Sequence, residues 1–235
     1  YKGVVGYVPQ RDIMHDDLTV ADALRYTALL RTRADLSKEE LAARVNAAIA
    51  DVHLQGKERL RISSLSGGQK KRVSIAMELL SDPKVIFLDE PTSGLSPDLD
   101  MEMMELLKDL SKKGRTIVVI THAMENIDKC DRVAFLGRGG RLCYYGPAQE
   151  AFRWFNRRSY SRIFAALADE ETSAAFAKKY RRSPYYKELY GKRGGMGKGA
   201  QAPAAAGTHG ACGGRRQRRP GRSRRDGYAG ERGGR

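Results

Sequence analysis

The chain has 235 residues and a formal net charge of +15, and 41% of its residues are hydrophobic. This length is sufficient for one sizeable domain with a buried core. The sequence contains no run of about 18 apolar residues and therefore predicts no membrane span. Twelve of the 43 Lys and Arg residues, but two of the 28 acidic residues, lie after position 190, which leaves about +5 on residues 1–190. A nucleic-acid function inferred from the total charge would therefore depend on the C-terminal segment alone.

Strand-like and helix-like stretches alternate along residues 1–146. Ser37 and Glu40 have the spacing of a helix capping box. The alternation predicts an α/β domain with a largely parallel sheet, in which residues 85–88 form a strand that is buried on both faces. Residues 116–120 and 132–136 are predicted to be two further buried strands. Strands are predicted at residues 3–8, 85–88, 116–120 and 132–136, and the last of these forms a hairpin with residues 141–145. Four helices are predicted: one begins at residues 24–30 and continues toward Arg33, one follows Ser37, and two more lie at 69–80 and 101–110.

The composition changes twice after this domain. Residues 147–190 have amphipathic helical patterns and predict a helical connector. Residues 191–235 consist mainly of Gly, Arg, Ala and Pro, which cannot build a core, and we expect a disordered tail. Two interpretations of this tail are open. It is either an out-of-frame or misassembled translation of the gene, or an RGG-like arm that binds RNA or acidic lipid. The three scattered cysteines indicate free thiols in a reducing compartment, which favours the cytoplasm.

Residues Leu65, Ser66, Gly67, Gly68 and Gln69 form the sequence LSGGQ, and a basic helix follows directly. Glycines allow backbone amides to approach a phosphate, a serine hydroxyl can donate to it, and a helix directs its positive end toward an anion. The pattern therefore predicts an anion site, and the alternative is an ordinary glycine turn that caps a helix.

The second motif begins sixteen residues after Gln69, where an apolar run ends in Asp89 and Glu90. A strand that ends in two carboxylates presents them at the carboxyl edge of a sheet, where α/β proteins bind ligands. Asp89 suits Mg²⁺ because hard cations take oxygen ligands, and Glu90 suits a general base for an attacking water. For an isolated Asp-Glu pair the alternative is a strand end that continues into a polar turn.

Together these motifs resemble the ATP-binding cassette (ABC) family. LSGGQ resembles the family's signature sequence, and the run ending in Asp89 and Glu90 resembles its Walker B strand. Residues 93–98 are similar to the D-loop, Val8-Pro9-Gln10 to the Q-loop, and His122 to the switch histidine. The resemblance implies a partial P-loop NTPase-type α/β fold with a parallel sheet core and a helical signature subdomain at about residues 19–82.

The resemblance also implies site residues and partners. In the family two such domains close head to tail on two ATP molecules, and Ser66, Gly67 and Gly68 would contact the γ-phosphate that the partner holds. Gln10 would reach the Mg²⁺ and the attacking water, and His122 would bind the γ-phosphate. Further partners would be a second ABC ATPase domain, identical or different, and a transmembrane permease domain at the cytoplasmic face of the membrane; no specific nucleic acid is expected.

Two departures from the family pattern stand out. The D-loop has Ser96 and Pro97 before Asp98, which can shift the contact of that acid across the dimer. The phosphate-binding Walker A pattern GxxxxGK[ST] is absent from the 235 residues. In the family it precedes the Q-loop, so we expect an N-terminally truncated ATPase domain that is inactive alone.

Several details resemble the G-type (White-like) exporters, including Tyr144-Tyr-Gly-Pro147 with Phe152 and Phe155. Residues 176–186 look like the connector of bacterial members that carry an FHA module. The predicted function is ATP hydrolysis that powers export. The alternatives are a soluble ABC ATPase acting on ribosomes or nucleic acid, and an inactive truncated remnant. The transported substrate would contact the membrane domain and cannot be inferred from this region.

Overall fold

The structure is a computed structural model that describes residues 4–31 and 36–191. Three strands form a parallel sheet in the order β1–β2–β3, and two further strands form a separate antiparallel pair. The strands are β1 (Val5–Val8), β2 (Val85–Asp89), β3 (Thr116–Ile120), β4 (Val133–Gly137) and β5 (Arg141–Gly146). The helices are α1 (Val20–Arg31), α2 (Lys38–Asp51), α3 (Gly67–Leu79), α4 (Pro97–Lys112), α5 (Ala151–Phe155), α6 (Tyr160–Leu167), α7 (Glu170–Arg181) and α8 (Pro184–Gly191).

The parallel register brings three chain segments to one edge of the sheet. Val8 pairs with Leu88, and Asp89 pairs with Ile120. Because the strands are parallel, the residues that follow each of them emerge at the same carboxyl edge. The segment that carries Gln10, the carboxylates Asp89 and Glu90, and the segment that carries His122 therefore all begin at this edge.

The first hydrophobic core joins the parallel sheet to helices α1–α4. Ser37 accepts a hydrogen bond from the Glu40 amide at 3.1 Å and donates its own amide to the Glu40 carboxylate at 2.8 Å, so the predicted capping box starts α2. The predicted helix at 69–80 begins two residues earlier, at Gly67. The buried side chains of this helix include Lys71 and Ile75, while Met77 is half-buried.

The second hydrophobic core is aromatic and lies between the β4–β5 hairpin and helices α5–α7. Phe135 and Phe155 pack edge to face with ring centroids 5.3 Å apart. The Tyr144 hydroxyl donates to the Pro147 carbonyl at 2.8 Å. Gly137 allows β4 to lie against α7, because a Cβ at this position would overlap the Ser173 hydroxyl. The predicted hairpin across Gly139 and Gly140 is thus present.

The prediction of strands buried on both faces is wrong. In β2 Ile86 and Leu88 are buried, but Phe87 is 37% exposed, and no residue of β3 is fully buried. Helices α3 and α4 pack on one face of the sheet, and within residues 4–31 and 36–191 no equivalent layer covers the face that carries Phe87.

The strand at Val133–Gly137 was predicted to be a further buried strand, and this is also wrong. It pairs with β5 alone in the described part of the chain, and Leu136 is 61% exposed. Its inward side chain Phe135 belongs to the aromatic core. The side chains of this strand therefore alternate between buried and exposed positions and are not continuously buried. Arg33 and residues 192–235, including most of the predicted tail, lie outside the described residues.

Candidate active site at the carboxyl edge of the sheet

Glu90 and His122 form a direct pair at the carboxyl edge. The Glu90 carboxylate Oε1 lies 2.7 Å from His122 Nδ1, and its other oxygen lies 3.5 Å from the Thr121 hydroxyl. The Glu90 side chain is 16% exposed, whereas that of His122 is 78% exposed. The pair therefore has a sheltered carboxylate and an imidazole that is open to a ligand.

The backbone of Glu90 explains how its carboxylate reaches this position. Glu90 has φ of 48°, in the left-handed region that residues other than glycine rarely adopt. Its amide donates to the Ile120 carbonyl at 2.8 Å, so the turn after β2 is tied to the end of β3. The strand that leads to His122 thus holds the main chain of Glu90 as well.

Asp89 lies beside this pair with a half-buried side chain. One of its oxygens accepts a hydrogen bond from the Tyr7 hydroxyl at 3.3 Å. Desolvation raises the pKa of Tyr7, and the Asp89 charge and hydrogen bond raise it further, so the hydroxyl stays protonated as a donor. The contact of Tyr7 with Asp89 was not predicted from the sequence. The available indication was that Tyr7 lies near the end of a strand that runs parallel to β2.

Asp89 fits a magnesium site that is completed by other ligands. Among the described residues no group of three or more His, Cys, Asp or Glu side chains could hold a metal ion. Mg²⁺, however, is commonly bound by one or two carboxylates together with water and substrate phosphates. A single accessible carboxylate at the edge of the sheet meets that requirement, while a closed protein cage is not present in the described residues.

Gln10 lies two residues beyond β1 on an exposed segment. Its side chain makes no hydrogen bond to Asp89, Glu90 or His122 in the part of the chain that the structure describes. Its backbone carbonyl accepts a hydrogen bond from Lys71 Nζ at 3.0 Å. Gln10 therefore follows the strand end at the carboxyl edge of the sheet, and its exposed side chain can turn toward a ligand.

The signature residues form the start of α3. Ser66 is the N-cap: its hydroxyl accepts from the Gln69 amide at 3.4 Å, and its amide donates to the Gln69 side chain at 3.2 Å. A Cβ on Gly67 would meet no atom within 4 Å, whereas one on Gly68 would contact Leu95 of the D-loop at 3.6 Å. Leu65 is buried beneath the turn. The glycine turn therefore caps a helix and also leaves an open approach to its positive end.

Asp98 lies in the first turn of α4, after its N-cap Ser96. A hydrogen bond from the Ser96 side chain, and bonds from backbone amides, hold the pKa of Asp98 below its usual range. A further contact beside the D-loop was not predicted: the buried Asp100 carboxylate accepts a hydrogen bond from the side-chain amide of the half-buried Asn126, which links α4 to the segment after His122.

A groove of about 360 Å³ lies between β3 and β4. Its walls are largely apolar and include Ile117, Val119, Val133 and Phe135, and Asp100 and Asn126 also line it. Within the described residues β3 pairs only with β2, so its other edge faces this groove. Unpaired edges of this kind bind further strands readily.

Comparison with known proteins agrees with the motifs. A family model described as ABC transporter matches residues 1–93. The chain is 38% identical over 170 residues to the ABC transporter ATP-binding/permease protein Rv1747 of Mycobacterium tuberculosis, which covers 72% of this chain and 20% of that protein. The chain belongs to the ABC transporter ATP-binding family.

Other members of the family are also similar to part of this chain. The broad substrate specificity ATP-binding cassette transporter ABCG2 of Bos taurus is 39% identical over 156 residues, which cover 64% of this chain and 24% of that protein. The structure of cbiO1 from Clostridium perfringens, titled as part of the ABC transporter complex cbiONQ, matches with a TM-score of 0.58 and 33% identity over 69% of this chain and 66% of its own.

These matches confirm the ABC ATPase fold. The relatives include members of the G family, as the sequence indicated. The chain spans about a fifth to a quarter of the length of the curated relatives that it matches. In the described residues no helix has the length and apolar character required to cross a membrane. The likeness of residues 176–186 to an FHA-linked connector stays a prediction.

Proposed function

We propose that this chain carries the hydrolytic carboxylates, the switch histidine and the signature helix of an ABC transporter ATPase that powers export. The observation that supports this most directly is the pairing of Glu90 with His122 at 2.7 Å beside Asp89, at the carboxyl edge of three parallel strands. In this proposal residues 1–146 form the ATPase domain, with a helical subdomain at about 19–82, and residues 147–190 form the connector to a permease.

The residues at this edge divide the chemistry among them. Glu90 accepts a proton from the attacking water as general base. His122, which is mostly exposed, holds the Glu90 carboxylate in place through Nδ1 and leaves its other ring nitrogen open to the γ-phosphate. Asp89 and Gln10 would hold Mg²⁺, which when bound neutralises phosphate charge. Tyr7 orients Asp89 by donating to one of its oxygens.

The signature helix acts on the ATP of a second ATPase domain. Gly67 is exposed and has open space around its Cα, and Ser66 keeps a hydroxyl proton to donate while it caps the helix. The first amides of α3 and the Ser66 hydroxyl therefore form an anion site that needs a phosphate from outside this chain. Head-to-tail closure of two such domains supplies it. Asp98 contacts the partner at the same interface.

The phosphate-binding loop completes the ATP site from the β3 side. The 235 residues contain no GxxxxGK[ST] pattern, while the unpaired edge of β3 and the apolar groove beside it can accept a strand. A strand in this groove would bring a following loop to the carboxyl edge next to Glu90 and His122. Without that segment the chain binds ATP poorly and does not hydrolyse it.

Equilibrium binding of ATP with Mg²⁺ tests the proposal. We expect no detectable binding by the chain alone, and binding once a strand followed by GxxxxGK[ST] is supplied upstream. A matched segment in which the loop lysine is alanine should fail to restore binding. Tight binding by the chain alone would contradict the incomplete site, because another element would then have to take the place of the lysine loop.

A further inference from the structure

Lys71 is a buried cation in the signature helix, and its contacts lie on the Q-loop. The residue is 6% exposed. Its Nζ donates to the carbonyls of Pro9 at 3.1 Å and Gln10 at 3.0 Å, and lies 2.8 Å from Asp12 Oδ1. The Asp12 oxygen accepts no regular hydrogen bond in the described residues, so this third contact is mainly Coulombic. A buried ammonium is unfavourable unless paired, and here three oxygens surround it.

These three contacts are what hold the Q-loop. Between the end of β1 and Met14 the chain has no regular secondary structure. Among residues 4–31 and 36–191, no hydrogen bond or ion pair other than those from Lys71 joins residues 9–14 to the rest of the molecule. Met14 adds apolar packing against the core. The position of the Gln10 backbone therefore depends on Lys71.

The neighbours of Lys71 in the sequence have other partners. Lys70 pairs at 2.9 Å with Asp16, whose side chain is 61% exposed, and such surface pairs contribute little. Arg72 pairs at 2.9 Å with Glu102 of α4. Lys70 therefore offers a matched control: it is a lysine of the same helix that contacts the same loop region but does not contact Gln10.

One rigid helix carries both the signature turn and Lys71. Lys71 lies five residues after Ser66, the N-cap of α3, which is about 7.5 Å along the axis at 1.5 Å per residue. We propose that Lys71 is a positioning residue that couples the signature helix to Gln10, so that engagement of the signature by one nucleotide sets the position of the glutamine at the other. This inference rests on the proposed function for the roles of Gln10 and the signature.

The first test uses the chain itself and does not depend on ATP hydrolysis. Lys71→Met keeps the apolar stem and removes the charge, and Asp12→Asn is added in a second variant so that no carboxylate is left unpaired. Loss of hydrogen bonds from a charged donor should release the segment, so the rate of trypsin cleavage after the exposed Arg11, followed by mass spectrometry of the fragments, should rise about tenfold or more. Lys70→Met should leave this cleavage rate unchanged, and Lys71→Arg should keep much of the resistance to cleavage. An unchanged cleavage rate in both Lys71 variants would overturn the proposal.

The second test separates positioning from a structural role. In the assembled ATPase with its phosphate-binding loop, Lys71→Met should lower kcat about tenfold and leave KM for ATP unchanged. Combined with Gln10→Ala, it should cause no further loss, since Lys71 acts through Gln10. Additive losses, or a wild-type kcat despite faster cleavage after Arg11, would overturn the coupling. Undiminished turnover of Glu90→Gln would instead contradict the proposed function and leave the proteolysis result standing.

Discussion

At the scale of single residues, Glu90 is fixed by main chain and side chain together. Its amide is bound to the Ile120 carbonyl, its carboxylate is paired with His122, and its φ of 48° is unusual for a residue with a side chain. Rare backbone conformations persist where the surroundings over-determine them, and they are frequent at active sites. The geometry of Glu90 therefore favours a general base over a strand end that merely continues into a turn.

Replacing Glu90 by Gln should retain ATP binding and reduce turnover in the assembled ATPase. The amide keeps the shape of the side chain but cannot accept the proton, and general-base catalysis typically contributes about 10²–10⁴-fold. Single-turnover hydrolysis measures the loss, and light scattering with ATP should detect a trapped closed dimer. Glu105→Gln, on the exposed surface of α4, is the control and should hydrolyse normally. Steady-state hydrolysis at the wild-type rate would exclude Glu90 as the base.

At the scale of elements, the sequence was sufficient where a local motif specifies a local structure. The capping box at Ser37, the LSGGQ turn that starts α3 and the strand that ends at Asp89 all lie where the sequence predicted them. The Glu90–His122 contact was not predictable, because it depends on the unusual φ of Glu90. Lys71 was missed for a different reason: a lysine in a basic run is usually solvated, although its spacing from Gly68 and Ile75 places it on a buried helix face.

The burial of β2 was misjudged because a short apolar run does not reveal how many of its faces are covered. Ile86→Ala should lower the free energy of unfolding by about 2–5 kcal/mol, since the side chain is fully buried and leaves a cavity. Phe87→Ala removes more atoms, yet its loss should be smaller because Phe87 is 37% exposed. Urea unfolding of the two variants measures both. A larger loss for Phe87→Ala would mean that the second face of the sheet is covered in solution.

At the scale of the whole molecule, the described chain has two separate hydrophobic cores. One joins the parallel sheet to α1–α4, and the other is the aromatic core around β4 and β5. Between them the edge of β3 and an apolar groove are open. An apolar edge without a strand partner is a site for association between chains.

We expect the isolated chain to self-associate through this edge. Val118→Lys places a charge on β3 in the groove and should reduce association, as lysines on natural edge strands do. Leu136→Lys introduces the same charge at an exposed position outside the groove and should have little effect. Light scattering coupled to size exclusion over a range of concentrations gives the apparent mass. Equal association of wild type and Val118→Lys would show that another surface is responsible.

The basic run Lys70-Lys71-Arg72 shows how far sequence neighbours can differ in tolerance to mutation. Each residue of a helix is rotated by about 100° from the one before, so the three side chains reach Asp16, the Q-loop carbonyls and Glu102. A saturation library over these three codons would therefore give three unrelated profiles: broad acceptance at 70, near-exclusion of neutral residues at 71, and a preference for long cations at 72. An average over the run would conceal the one position whose replacement disconnects two active sites.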